Sequence, residues 1–330
     1  MSQRTATEAG LGPAATDNSV AAGPLRAARR RSPKLIKRTE LTILLAPGLI
    51  LFVGFIFVPI VIAAYYSFFS WGGYGPLGPS VGFKNYSFAF HDQYFIHAIE
   101  HTLILTVLSV VIQGPLSIAI ALLLNRKFFG RTFLRMVIFA PYVLPPAVTG
   151  IMWNLMLQPN GFVDQVMKSL GLGGLVQEWL ANASLTLWVN FVVLTWQYIG
   201  FGIVLLLAGL QGVPRELKEA ASIDGAGPWE VTRRITLPLL APTIRIWGFI
   251  TVIGSLQIFD IVWILTGGGP GESSETIAVY LYTKGVQATD YGYASAIAVV
   301  LFAFCFVFAL LYQRFALRRD LQGALTREVG

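Results

Sequence analysis

The residues best equipped to meet a solute are polar and aromatic side chains set within long apolar runs. Asn190, Gln197, Gln257 and Asp260 fall in such runs, with Trp196 and Trp263 close by in the sequence. Amides and a carboxylate exchange hydrogen bonds with hydroxyls, and an indole stacks on an apolar face. This is the chemistry of reversible binding. Asp260 is the one acidic residue that falls inside an apolar span, and an intramembrane carboxylate is by default a functional-site candidate. At about 100° per residue, Thr102, Thr106, Ser109, Gln113 and Ser117 make one polar stripe and Thr186, Asn190 and Gln197 a second; Ser255, Gln257, Asp260 and Trp263 form a third group. Hydrogen bonding between helices accounts for such residues without any solute, and Trp also collects at membrane interfaces, so both readings stand.

Other chemistry is excluded by composition. Three histidines, His91, His97 and His101, and the single Cys305 provide no disulfide framework and no thiolate cluster, so neither a metal nor another cofactor is expected. No G-x-x-x-x-G-K-[ST] phosphate loop occurs, so a chain that needs ATP must obtain its energy from a partner, and the chain itself is not expected to be an enzyme.

The elements that position these residues are membrane helices. The 330 residues are 55% hydrophobic and 12% charged, against roughly 25% charged in soluble domains. A bilayer core of ~30 Å takes about 20 helical residues, and six apolar runs reach that length: Leu41 to Phe69, Thr102 to Leu124, Phe133 to Leu157, Leu185 to Leu210, Thr243 to Leu265 and Tyr293 to Phe315. The first run is too long for the h-region of a cleaved signal peptide and reads as a retained helix. Prolines at 47, 59, 115, 141, 145 and 146 predict kinks in the first three. The expected fold class is an all-α integral membrane protein of six transmembrane helices. Its parts are a disordered basic tail over residues 1–40, a membrane domain over 41–319 containing a long loop at 211–242, and a short tail over 320–330.

The net charge of +7 does not point to nucleic acid, because the basic residues flank apolar runs. With the N-terminus inside, 21 of the 24 Lys and Arg fall on inner segments, leaving Lys84, Lys168 and Lys284 outside. That asymmetry predicts two cytoplasmic termini.

The loop 211–242 is patterned rather than flexible. Pro214 suits a first helical turn and Gly225-Ala226-Gly227-Pro228 a stop, which predicts a short helix over 214–224 and a second over 228–235. Glu219-Ala220-Ala221, then Gly225, then Ile235 and Leu237-Pro238, resembles the EAA signature of permease subunits in binding-protein-dependent ABC importers. Trp196-Gln197, Leu206 to Gln211, Phe259-Asp260, Leu265 to Pro270 and Tyr291 to Ala296 are similar to the carbohydrate branch of that family, and Thr266-Gly267-Gly268-Gly269-Pro270 to its maltose-type first subunit.

The resemblance implies an importer-type permease bundle with a cytoplasmic coupling helix, in the cell membrane of a prokaryote. Glu219, Ala220, Ala221, Asp224, Gly225, Ile235, Leu237 and Pro238 would meet an ATPase. The implied partners are a second, different permease, two ATPase subunits, an extracytoplasmic solute-binding protein and a sugar, probed within the lipid bilayer and without nucleic acid. Small residues permit close approach of a helix lying in a groove, and Glu219 offers a charge to pair. For the path, a water-filled cavity between the fourth and fifth spans is expected, holding Asn190, Gln197, Gln257 and Asp260 with Trp196 or Trp263 as a stacking wall. The glycine run Gly267 to Gly271 reads either as a turn or as a rim loop against the binding protein. A non-sugar solute such as a polyamine or glycerol phosphate is the alternative; the absence of Lys and Arg well inside the spans disfavours a phosphate. A secondary transporter would show internal repeats, and none is seen.

Overall fold

A computed structural model of the chain describes residues 33–317, with side chains from Glu40 to Ala316. Most of the expected N-terminal tail and the expected tail over 320–330 lie outside these residues. The described part is helical, with one isolated bridge between Phe69 and Ser80. In chain order the helices are α1 (Glu40–Tyr66), α2 (Lys84–His91), α3 (Gln93–Asn125), α4 (Arg131–Val143), α5 (Pro146–Met156), α6 (Phe162–Ser169) and α7 (Ala183–Gln211). They continue with α8 (Arg215–Ile223), α9 (Pro228–Leu256), α10 (Asp260–Thr266), α11 (Ile277–Tyr282) and α12 (Tyr291–Ala316). Five of them, α1, α3, α7, α9 and α12, are long and apolar enough to cross a membrane, and the bent pair α4–α5 makes a sixth crossing if counted as one.

The chain divides into two compact units, one ending at Ile56 and one beginning at Phe57. The first is helical from Pro33, so the helix starts within the stretch expected to be disordered tail. Proline suits a first helical turn, and the Lys-Leu-Ile-Lys-Arg sequence that follows is made of helix formers. None of its side chains from Glu40 on is buried. In the second unit α7 is central, with half of its most apolar stretch buried, and it packs against α3, α4 and α9. Val58–Tyr66 packs on α12, and α10 on α5. Lipid gives helices no hydrophobic reason to associate, so this packing rests on dispersion contacts and buried hydrogen bonds.

Two spans differ from expectation. The third is broken, its halves meeting at 98°. Leu144 (φ −69°, ψ 138°) and Pro145 (φ −57°, ψ 135°) are extended, as residues preceding proline prefer to be. The fifth is displaced toward the N-terminus: it runs unbroken from Pro228 through Pro238 and ends at Leu256, not Leu265. Asp260 therefore lies outside the span, as the first residue of α10, where its charge favours the helix N-terminus.

Proline is accommodated by a repeated device. Five-residue π-turns at Val53–Phe57, Ser109–Gln113 and Thr232–Thr236 each end two residues before a proline, namely Pro59, Pro115 and Pro238. A proline lacks an N–H for the carbonyl four residues back, and its ring crowds that carbonyl. In each case that carbonyl, on Phe55, Val111 or Arg234, falls within the wide turn.

Candidate functional site

The loop after α7 folds as two linked devices. Pro214 (φ −56°, ψ 135°) opens α8 and Asp224 caps its end. Gly225 follows with φ +87°, a conformation costly for any residue with a side chain. Gly225 N–H donates to Ser222 O at 3.2 Å and Ala226 N–H to Ala221 O at 2.9 Å. These paired bonds make a Schellman stop. The π-turn at Thr232–Thr236 contains Ile235, and Leu237 and Pro238 lie at the point where the helix resumes.

On α8 the half-buried Lys218 and Ala221 mark the side turned toward the rest of the chain. The opposite side carries Glu216, Glu219, Ala220 and Ile223, all exposed, with Ile223 at 86%. Asp224 and Gly225 are exposed as well, and Trp229 beyond them is 70% exposed. Among the described residues the ion pairs are His97–Glu100 and Arg234–Glu230, so Glu219 has no ionic partner among them. Charged and apolar groups thus share one uncovered face.

A cavity of about 210 Å³ lies between α3, α4, α7 and α9. Its polar wall includes Ser109 and Gln113 of α3 and Thr251 and Ser255 of α9; its aromatic wall is Tyr142, Tyr198, Phe201 and Trp247. None of the six residues expected to form the path lines it. Asn190, fully buried, donates to Thr186 O at 3.0 Å and to Thr266 Oγ1 at 3.2 Å. Gln197 accepts from Thr149 Oγ1 at 2.5 Å and donates to Leu144 O at 2.9 Å. Leu144 is the residue at the break of the third span, so Gln197 satisfies a carbonyl freed by the bend.

Trp196 meets Trp153 edge to face at 5.5 Å, and Trp263 is flanked by Phe259 at 6.1 Å and Tyr282 at 4.8 Å. Gln257 is exposed, with its amide 3.5 Å from Cys305 Sγ, and Asp260 is exposed two residues beyond the cavity-lining Ile258. The polar stripe on α3 was legible in the sequence and supplies Ser109 and Gln113. The aromatic wall was not singled out, although the i, i+3 spacing of Tyr198 and Phe201 and the i, i+4, i+8 spacing of Trp247, Thr251 and Ser255 place each set on one helix face.

The glycine-rich loop after α10 is held within the chain. Ser274, Glu275, Thr276 and Ile277 are buried. Thr276 Oγ1 donates to Ile258 O at 2.9 Å, Ile277 N–H donates to Thr102 Oγ1 at 3.0 Å, and the Ser273 and Thr186 hydroxyls are 2.7 Å apart. Burial, with the Glu272 charge adding to it, raises the Glu275 carboxyl to about 7, partly offset by the Thr283 hydroxyl and Lys284.

Comparison with known proteins agrees with this architecture. The family described as binding-protein-dependent transport system inner membrane component matches residues 113–320. The sulfoquinovosyl glycerol transport system permease protein of Agrobacterium fabrum is 34% identical over 280 residues, covering 84% of this chain and 90% of that protein. The multiple sugar-binding transport system permease protein of Streptococcus mutans is 36% identical over 261 residues, covering 79% of this chain and 89% of that protein. A crystal structure of a bacterial alginate ABC transporter, in complex with an alginate pentasaccharide-bound periplasmic protein, aligns with a TM-score of 0.75 at 25% identity, covering 88% of this chain and 98% of that one. The chain is a multi-pass membrane protein and belongs to the family of binding-protein-dependent transport system inner membrane components.

Proposed function

We propose that this chain is the permease subunit of an ATP-driven importer of sugars, most simply oligosaccharides, forming half of the translocation path. The observation that carries the reading is the uncovered face of α8, where Glu216, Glu219, Ala220 and Ile223 stand exposed and Glu219 has no ionic partner among the described residues. A helix that exposes charge and a large apolar side chain together is shaped for a groove on another protein. That partner is an ATPase subunit, which hydrolyses the nucleotide this chain has no motif to bind. Glu219, Ala220, Asp224 and Gly225 form the contact, Ala221 lies half-buried on the inner side of α8 and does not face it, and Ile235, Leu237 and Pro238 join the loop to α9. The permease domain is residues 41–319, with the loop 211–242 and both termini in the cytoplasm of a prokaryotic cell.

The size of the cavity supports a two-permease assembly. At about 210 Å³ it falls below the ~300 Å³ of the smaller ligand pockets. A second, different permease completes the path, two ATPases drive it and an extracytoplasmic binding protein delivers the solute. Gln113, Tyr198, Thr251 and Ser255 provide the mix of neutral donors and aromatic surface that suits transient sugar binding. Gln257 and Asp260 stand beside Ile258 at the end remote from α8. Gln197 has its whole amide engaged by the neighbouring span and Asn190 its amide nitrogen engaged by Thr186 and Thr266, and their part is to hold the walls in place. The names of the relatives favour a sugar over other solutes, because those permeases serve sugar-binding and sulfoquinovosyl glycerol systems. The test is purification of the tagged chain from its native membrane. A complex containing a second permease and an ATPase is expected, and isolation as a lone monomer in mild detergent overturns the reading.

A further inference from the structure

The cavity has a floor, and one side chain forms it. Trp247 lines the cavity although it is only 4% exposed. Its indole is seated in a notch made by two glycines on the facing helices. A Cβ added to Gly114 of α3 would lie 2.7 Å from Trp247 Cη2, and one added to Gly202 of α7 would lie 2.6 Å from Trp247 Nε1. Both distances are well inside van der Waals contact, so the ring lies as deep as backbone alone permits. Each glycine immediately follows the last cavity-lining residue of its helix in the direction of the α8 loop, Gln113 on α3 and Phe201 on α7. Beyond the notch, Ala121, Leu206 and Leu240 close the three helices on one another with no exposure. Ser117 Oγ, 3.1 Å from the position of a Gly202 Cβ, is buried there without a hydrogen-bond partner.

The geometry points to Trp247 as the residue that sets the depth of the path cavity, with Gly114 and Gly202 holding its ring back, so that this trio limits the size of solute the chain accepts. The inference rests on the cavity being the path. A methyl group on either glycine must drive the indole into the cavity and shorten it, whereas loss of the indole must lengthen it. The two changes act in opposite directions, which general destabilisation would not do.

The test uses membranes carrying the chain with its partner subunits, Cys305→Ala to remove the native thiol, and Thr251→Cys, one helical turn from Trp247, as a reporter in the cavity wall. Methanethiosulfonate reagents of graded size are the probes. Trp247→Ala should raise the rate with the bulkiest reagent at least tenfold relative to the smallest, and Trp247→Phe should fall between the two. Gly202→Ala and Gly114→Ala, on different helices, should each lower that ratio about fivefold. Rates that depend on reagent size identically in all variants overturn the role of Trp247 while leaving the path in place. A reporter that stays unreactive toward the smallest reagent in every variant overturns the path reading itself, and this inference with it. If Trp247→Ala does not accumulate, the Phe and glycine variants still decide the sign.

Discussion

The α8 loop and the glycine-rich loop after α10 are both motif-bearing turns at span ends, yet the structure treats them oppositely. In the first, Glu219, Ala220 and Ile223 face outward and the described residues offer Glu219 no ionic partner. In the second, Ser273, Thr276 and Ile277 are bonded to α7, Ile258 and α3, and of residues 267–277 Gly267, Gly271 and Glu272 remain exposed. A loop whose polar groups are satisfied internally is part of the scaffold, while one that leaves charge and apolar surface uncovered is built for a second protein. Under the proposed function, docking belongs to one end of the helices and rigidity to the other.

The comparison is broken most decisively by sidedness, where the effect is all or none. In a Cys305→Ala background, an impermeant thiol reagent applied to intact cells should label Glu272→Cys and leave Ser222→Cys untouched; the reverse pattern would place α8 on the wrong side for an ATPase. Glu219→Lys comes next. Leaving a partner's charge unpaired costs ~2–5 kcal/mol, so uptake in whole cells should fall at least tenfold at unchanged levels of chain in the membrane. Gly225→Val should act in the same direction, because φ of +87° costs a side-chain-bearing residue about 1–2 kcal/mol or more.

Smaller effects sharpen the scaffold side of the contrast. Gln197→Leu removes the donor to the half-buried Leu144 O and the acceptor of the buried Thr149 hydroxyl, and an unsatisfied buried polar group costs ~1–3 kcal/mol. The melting temperature in detergent should drop by several degrees; a change only in the sugar concentration for half-maximal uptake would return Gln197 to the path. The smallest effect belongs to Glu275, whose carboxyl keeps its proton in the fold up to about 7. The unfolded chain releases that proton in the ordinary carboxylate range, so the folded state binds more protons between the two and stability falls as pH rises through this window. Glu275→Gln should flatten the pH dependence, with its melting advantage over the wild type growing toward pH 7 as measured by scanning fluorimetry.

Much of this was legible in the residues. Apolar run length gave the spans, and Pro214 and Gly225 bounded α8, because both signals are local. The double proline at 145 and 146 announced a kink, although not a right-angle break, since the angle depends on Gln197 arriving from α7 to bond Thr149 and Leu144. Pro238 concealed the continuity of α9, because a π-turn that absorbs a proline has no residue signature of its own. The cavity was hidden for a different reason. Tyr142, Tyr198, Phe201 and Trp247 are indistinguishable in a sequence from aromatic residues facing lipid, and only packing separates the two.

The π-turn at Thr232–Thr236 carries one residue more than an α-helix of the same rise requires. Deleting a single residue there would leave α9 helical while rotating everything after it by about 100°. Trp247 would swing out of register with Gly114 and Gly202, and Thr251 and Ser255 would turn away from α7 with it. The spacing between Val231 and Leu237 is therefore a phase setting: it fixes which edge of a long, uniformly apolar helix looks inward, and a one-residue gap would erase the wet face of that helix without removing any of its side chains.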